Sequence, residues 1–292
     1  MDAEAVAHLS LLALFEGGNE YWSCEYLNYG AQTLLDRICA GEYLDYKKSG
    51  EKLTKAAREI NIDLIENHMV HSQAFLISRH DPDWPAGLDD LKAPPIALIG
   101  RGERTALLSV RESLSIVGTR NPSEYGLRVA GDFAAGAVDR EWSIISGGAF
   151  GIDSAAHKGA IAAEGQTIAI LGGGVNSIFP SGNDRLFSEI MHNGLLLSEV
   201  LPNVHAIPAR FLIRNRLIAA ISRATVVVEA AFRSGSLRTA RDAAEIFRPV
   251  MAVPGSINSP TSDGCHRLIG ERTAEIVTSI ADCMELVGPL LD

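Results

Sequence analysis

The sequence predicts an α/β protein in which a doubly wound, mostly parallel sheet follows a small all-helical domain. Short β-branched runs recur from residue 114 onward, at LSIVG, WSIIS, QTIAIL, GLLLS, ATVVVE, RPVMAV and AEIVT. Between them lie helix-length amphipathic stretches such as YGLRVAGDFAAGAVD and NDRLFSEIMHN. Strand, helix, strand in this alternation is the pattern of right-handed βαβ units, hence parallel strands with helices on both faces. Residues 1–70 show only helical spacing, in AVAHLSLLALF, YGAQTLLDRICAG and KLTKAAREINIDLIE, with a break at Gly17–Gly18.

Residues 71–113 are transitional. DPDWPAGLDDLKAPP is rich in Pro, Gly and Asp, and PPIALIG supplies a short apolar strand, so the segment reads as a linker or as an edge extension of the sheet domain, residues 114–292. With 292 residues and 47% hydrophobic content the chain can bury a sizeable core, which excludes wholesale disorder. Cys24, Cys39, Cys265 and Cys283 are scattered, with no CxxC pair, so neither a zinc site nor a disulfide scaffold is expected. MDAEAVAH lacks a basic stretch leading into an apolar one, and no apolar run approaches the roughly 18 to 20 residues of a membrane span. The expectation is a cytoplasmic protein with reduced thiols, no membrane contact, no metal and no cofactor.

The formal net charge of −10 opposes a nucleic-acid partner, because sequence-independent binding relies on Lys and Arg neutralising phosphates. The charge is unevenly spread, however. Residues 1–70 carry twelve Asp and Glu against six Lys and Arg, whereas 205–241 carry seven arginines against Glu229 alone. A local basic patch is compatible with an acidic whole.

Ligands of such sheets bind beyond the carboxyl ends of the strands, and the glycine-rich motifs fall there. In SIVGTRNPSEYG, Gly118 lets the backbone approach a ligand or a packed helix, Arg120 at the strand end can reach an anion, and Ser123 caps the next helix. In SGGAFGIDSAAHKGA, opened by Ser146, the glycines Gly147, Gly148 and Gly151 can present backbone N–H groups to a phosphate. Asp153 is the expected N-cap and Lys158 a candidate phosphate contact. His157 reads as a packing or solvated residue. The loop has neither GxGxxG spacing nor the Gly-Lys-Ser/Thr of a nucleotide hydrolase, so ATP hydrolysis is disfavoured.

In LGGGVNSIFPSGNDRLF, Phe179 either stacks on an unpaired base or fills core, Asn183 caps the next helix and Arg185 extends a basic track. In RFLIRNRLIAAISRATVVVEAAFRSGSLRTARDAAE, Arg214 and Arg216 lie two apart and cannot share a helix face, so one serves a ligand while the other holds structure. Ser234, Gly235 and Ser236 form a second loop into a helix N-terminus. No GxSxG elbow, HExxH or cysteine–histidine pair appears, and no catalytic residue is expected. Glu229 stands where a nucleosidase would keep an acid; its alternative is a loop-ordering carboxylate paired with an arginine.

These motifs, in order from Asp81 to Val287, resemble those of the DprA/Smf family of DNA-processing proteins. The resemblance implies an extended Rossmann fold that binds single-stranded DNA through the SGGAFGID loop and nearby basic residues. It also implies homodimers that recruit RecA recombinase and load it on single strands, as in competence, natural transformation and DNA recombination. The family's helical, SAM-like domain corresponds to residues 1–70, and IPARFLIRNR departs from the family's Phe-Pro pair before RNR. Many members carry a C-terminal winged helix; none is expected here, because the chain stops at Asp292 soon after the last βα unit. Two alternatives stand beside this reading. One is a nucleotide N-glycosidase of the lysine-decarboxylase-like type, whose PGGxGTxxE is replaced here by EAAFRSGSLRTA; the other is a sensor of free nucleotide.

Overall fold

The computed structural model describes residues 1–46 and 49–288; the expected domain end at Asp292 lies outside them. Five helices open the chain: α1 Ala3–Leu14, α2 Glu20–Tyr29, α3 Ala31–Ala40, α4 Gly50–Arg58 and α5 Ile62–His71. Asp2, Asn19 and Asn61 start α1, α2 and α5 by accepting the N–H groups of Ala5, Trp22 and Leu64. Leu11, Trp22, Leu34 and Ile38 make a core of their own. Leu9, Leu12, Ile65 and Met69 pack instead with Ile99, Ala169 and Leu196 of the sheet, so the helical segment is also a layer on that sheet.

Among the described residues the sheet has nine strands: β1 Phe75–Ile77, β2 Leu98–Gly102, β3 Ser113–Val117, β4 Ser143–Ser146, β5 Thr167–Ile170, β6 Leu195–Ser198, β7 Ala224–Val227, β8 Val250–Ala252 and β9 Glu275–Ile276. Their order is β1-β2-β6-β5-β4-β3-β7-β8-β9. All pairs from β6 across to β9 are parallel, and the seven runs read from residue 114 onward are those strands. Most are buried on both faces, which is why they read as continuous apolar runs. Segment 71–113 supplies an antiparallel edge, with β1 on β2 and β2 on β6.

Helices cover both faces. On one, Leu217 and Ile218 of α9 (Pro208–Ile221) and Leu237 and Ala240 of α10 (Ser236–Glu245) pack on Ile145, Ile168 and Leu197. On the other, α6 (Glu124–Val138), α7 (Ile152–Ala162) and α12 (Ile280–Val287) pack on Leu114, Ile116 and Ile144. There α8 (Asp184–Asn193) meets the helical segment through Phe187 and Ile190, while α11 (Asp263–Gly270) packs beside α10.

His157 is a core residue of α7, fully buried, with Nδ1 2.7 Å from the Thr167 hydroxyl. That hydroxyl donates its own hydrogen to the Ile144 carbonyl at 2.8 Å, so it must accept from the ring, which places the proton on Nδ1. Nε2 is buried and has no partner among the described residues. Burial, aided by the nearby Arg214 guanidinium, pushes the imidazole down to about 3 from its ordinary 6.5. The unfolded chain takes up a proton below pH 6.5 that the folded chain refuses, so stability is lost as pH falls from 6.5 toward 3. His157→Asn keeps a donor for Thr167 and removes the titration. Urea unfolding between pH 7 and 5 should show the wild type losing stability relative to the variant by about 1.4 kcal/mol per unit. A gap that does not change with pH would contradict the burial argument.

Candidate nucleic-acid interface

β3 and β7 are neighbours, yet the chain leaves β3 toward β4 on one side and leaves β7 toward β8 on the other. At such a reversal no crossover helix covers the carboxyl ends of the two strands, and a crevice opens. It measures about 210 Å³ and is bounded by Gly118 and Arg120 after β3, Ala149 and Asp153 after β4, Phe211 and Arg214 of α9, and the Ser234–Ser236 loop before α10.

The glycine loop after β4 is shaped from within. Arg214 is buried, donates from Nη1 to the Ile170 carbonyl, and lies where a side chain on Gly147 would stand. Gly148, at φ +66°, passes over the Phe187 ring; Gly151, at φ +84°, presses on the Thr119 carbonyl and caps α7. The cap role expected for Asp153 is therefore corrected. Its carboxylate lies inside the first turn and accepts the amides of Gly147 (3.2 Å) and Ala149 (3.4 Å). One of the three N–H groups read as a phosphate cradle, that of Gly147, is thereby occupied by the protein itself, together with the amide of Ala149. The amides of Gly148, Phe150 and Gly151 have no partner among the described residues. Burial pushes the Asp153 carboxyl up and the Arg214 guanidinium down to about 10, each opposed by the other's charge. They form no direct ion pair among the described residues, and Arg214 Nε is buried without an acceptor.

An aromatic residue that the sequence reading did not single out stands at the centre. The ring of Phe211 has the Arg120 guanidinium 5.3 Å and the Arg214 guanidinium 5.9 Å from its centroid, within cation–π range. Phe179 tilts against it at 5.5 Å and is 50% exposed, so Phe179 is a rim residue and not core. The signal was present in RFLIR: Phe211 and Arg214 are three apart and share one helix face. Arg120 is exposed, with no ion pair among the described residues.

Other candidates are placed elsewhere. Ser146 is buried and donates to the Ile116 carbonyl at 2.7 Å, tying β4 to β3. Gly118 borders the crevice, but a Cβ there would sit 2.5 Å from Ile152 and 2.7 Å from the Glu229 carbonyl, so helix–sheet packing requires it. Arg216 is withdrawn from the site: it pairs at 2.5 Å with the buried Glu199. Lys158 and Arg185 are exposed and border no part of the crevice. Ser234 and Ser236 bond to each other through their hydroxyls at 2.7 Å, and the Gly235 carbonyl accepts from Asn215. The basic stretch 205–241 is largely neutralised, because Arg210, Arg216, Arg238 and Arg241 pair with Glu16, Glu199, Asp242 and Glu271.

Glu229 orders a loop, with serine and threonine in place of the expected arginine. It accepts from Ser123 N (2.8 Å) and Oγ (2.7 Å) and from Thr261 Oγ1 (3.0 Å), fixing the start of α6, where Ser123 is the cap as read. Among the described residues no group of three or more His, Cys, Asp and Glu could hold a metal, and no helix is long and apolar enough to cross a membrane.

Residues 75–288 match the family model of DNA recombination-mediator protein A. A DNA processing protein DprA sequence from Mycobacterium tuberculosis is 41% identical over 89% of this chain and 69% of its own length. The X-ray structure of DprA from Streptococcus pneumoniae superposes with a TM-score of 0.82 at 31% identity, covering 97% of this chain and 96% of that one. The structure of DNA processing protein A from Helicobacter pylori, described for its single-stranded DNA binding mode, superposes with a TM-score of 0.67 at 29% identity over 74% of this chain and 96% of its own. With its glycine loops at the ends of β3 and β4 and this match across most of its length, the chain belongs to the DprA/Smf family of DNA-processing, recombination-mediator proteins.

Proposed function

We propose that the chain binds single-stranded DNA in the crevice between β3 and β7 and helps load RecA recombinase on that strand, acting as a cytoplasmic homodimer and as a binding protein rather than an enzyme. One observation carries the DNA reading: Phe211 has two guanidinium groups within cation–π range of its ring and the exposed Phe179 ring beside it, at the open ends of a parallel sheet. Aromatic rings stack on unpaired bases, which a duplex does not offer, and guanidinium groups take the phosphates. The H. pylori relative's single-strand binding mode supports the same assignment. RecA loading and dimerisation rest on membership of a recombination-mediator family.

The reading predicts that fluorescence anisotropy of a labelled oligo-dT, competed with duplex of equal length across a salt series, shows salt-sensitive preference for the single strand. Arg120→Ala should weaken binding and lower the log–log salt slope by about 0.7, while Phe211→Ala should cost about 1–3 kcal/mol. Unchanged affinity in both variants would remove the crevice from the interaction. Arg216→Ala should instead destabilise the fold by about 3 kcal/mol or more in chemical denaturation, because Glu199 is left buried without its partner. A fully stable variant would contradict the structural role given to this pair. With Glu229 engaged by Ser123 and Thr261, no base should be released from nucleoside monophosphates; release that is lost in Glu229→Gln would establish the glycosidase alternative.

A further inference from the structure

On the outer side of the glycine loop, between α6 and α7, lies a second hollow of about 570 Å³. Ala149 borders the crevice and the next residue, Phe150, borders this hollow, so the loop is a wall common to both. The floor is made of small residues, Gly131 of α6 with Ala155 and Gly159 of α7. Packing requires one of these glycines: a Cβ on Gly159 would come within 2.6 Å of the Gly131 carbonyl oxygen where the helices cross. Packing does not require the other. A Cβ on Gly131 would meet nothing within 4 Å, and its φ is not positive. Glycine inside a helix costs roughly 0.5–1 kcal/mol relative to alanine, and at Gly131 the fold gains nothing visible in return. What the glycine preserves is open space above a flat apolar floor. At the edge of that space stand Phe150, 47% exposed, and Lys158, exposed and without an ion pair among the described residues.

We infer that this groove is a second nucleotide subsite, continuing the path of a strand bound in the crevice. A flat slot, an exposed ring and one ammonium suit a base and its phosphate. The strand crosses the glycine loop, stacks a base on Phe150, lays the next against Gly131 and Gly159, and places a phosphate near Lys158. This inference rests on the single-strand reading above, and it gives Lys158 a place that the crevice does not.

The test uses labelled oligo-dT of about six and about eighteen nucleotides, lengths that bracket the reach of one binding surface. Gly131→Leu fills the slot without approaching the crevice. It should leave binding of the short oligonucleotide unchanged and thermal stability no lower than that of the wild type, since a helical glycine is replaced where nothing obstructs a Cβ. It should weaken the long one by about five-fold or more, the lower end of what one stacked base is worth. Phe150→Leu should show the same selective loss. Equal affinity of the wild type and both variants for the long strand overturns the subsite while leaving the crevice reading intact. Failure of the wild type to bind either length overturns the parent reading and the subsite with it.

Discussion

The constraint on which the site depends is the reversal of winding between β3 and β7. Because their crossovers leave in opposite directions, the carboxyl ends of two adjacent strands stay uncovered, and the turns that follow them converge on one space. Close backbone approaches follow from this. Gly118 passes against Ile152, Gly147 against the Arg214 guanidinium and Gly151 against the Thr119 carbonyl, each at distances that exclude a Cβ. The crevice is thus the meeting point of α7, α9 and three strand ends, and its shape is inseparable from how those helices sit on the sheet.

Charge is handled within this frame with unusual economy. The protein is acidic overall, and four of the arginines in its most basic stretch are spent on carboxylates. Two of these pairs, Arg210 with Glu16 and Arg216 with Glu199, tie α9 to residues that do not border the crevice; the loop at Gly17–Gly18 lies against Glu199 and Arg216. Positive charge remains at the crevice in Arg120, which is exposed, and in Arg214, which is buried with an unsatisfied Nε. A few cations next to aromatic rings favour a flexible strand with accessible bases over a duplex held by phosphate contacts alone.

The sheet was legible because strands buried on both faces carry an unbroken apolar code; the runs around Ile116, Ile144, Ile168 and Val226 could hardly be anything else. β1 escaped because three residues, Phe75–Ile77, are too short for any period to show. The crevice's position followed from the glycines after β3 and β4, but the roles of individual residues did not. Arg216 and Arg210 find carboxylates at distant positions, which only the folded chain brings together. Arg238 and Asp242, four apart on one helix, could have been paired from the sequence, as could Phe211 and Arg214 be placed on one face. Asp153 was misread because a glycine in left-handed conformation, Gly151, takes the cap and leaves the carboxylate free to hold the loop.

The most direct test of the account is photo-crosslinking of an iodouracil-substituted single strand, with the linked residues mapped by mass spectrometry. Binding in the crevice predicts cross-links at Phe211 and at Phe179 beside it, at the crevice mouth. Tight binding with cross-links confined to the helical segment 1–70, or to the amino-terminal ends of the strands, would contradict it.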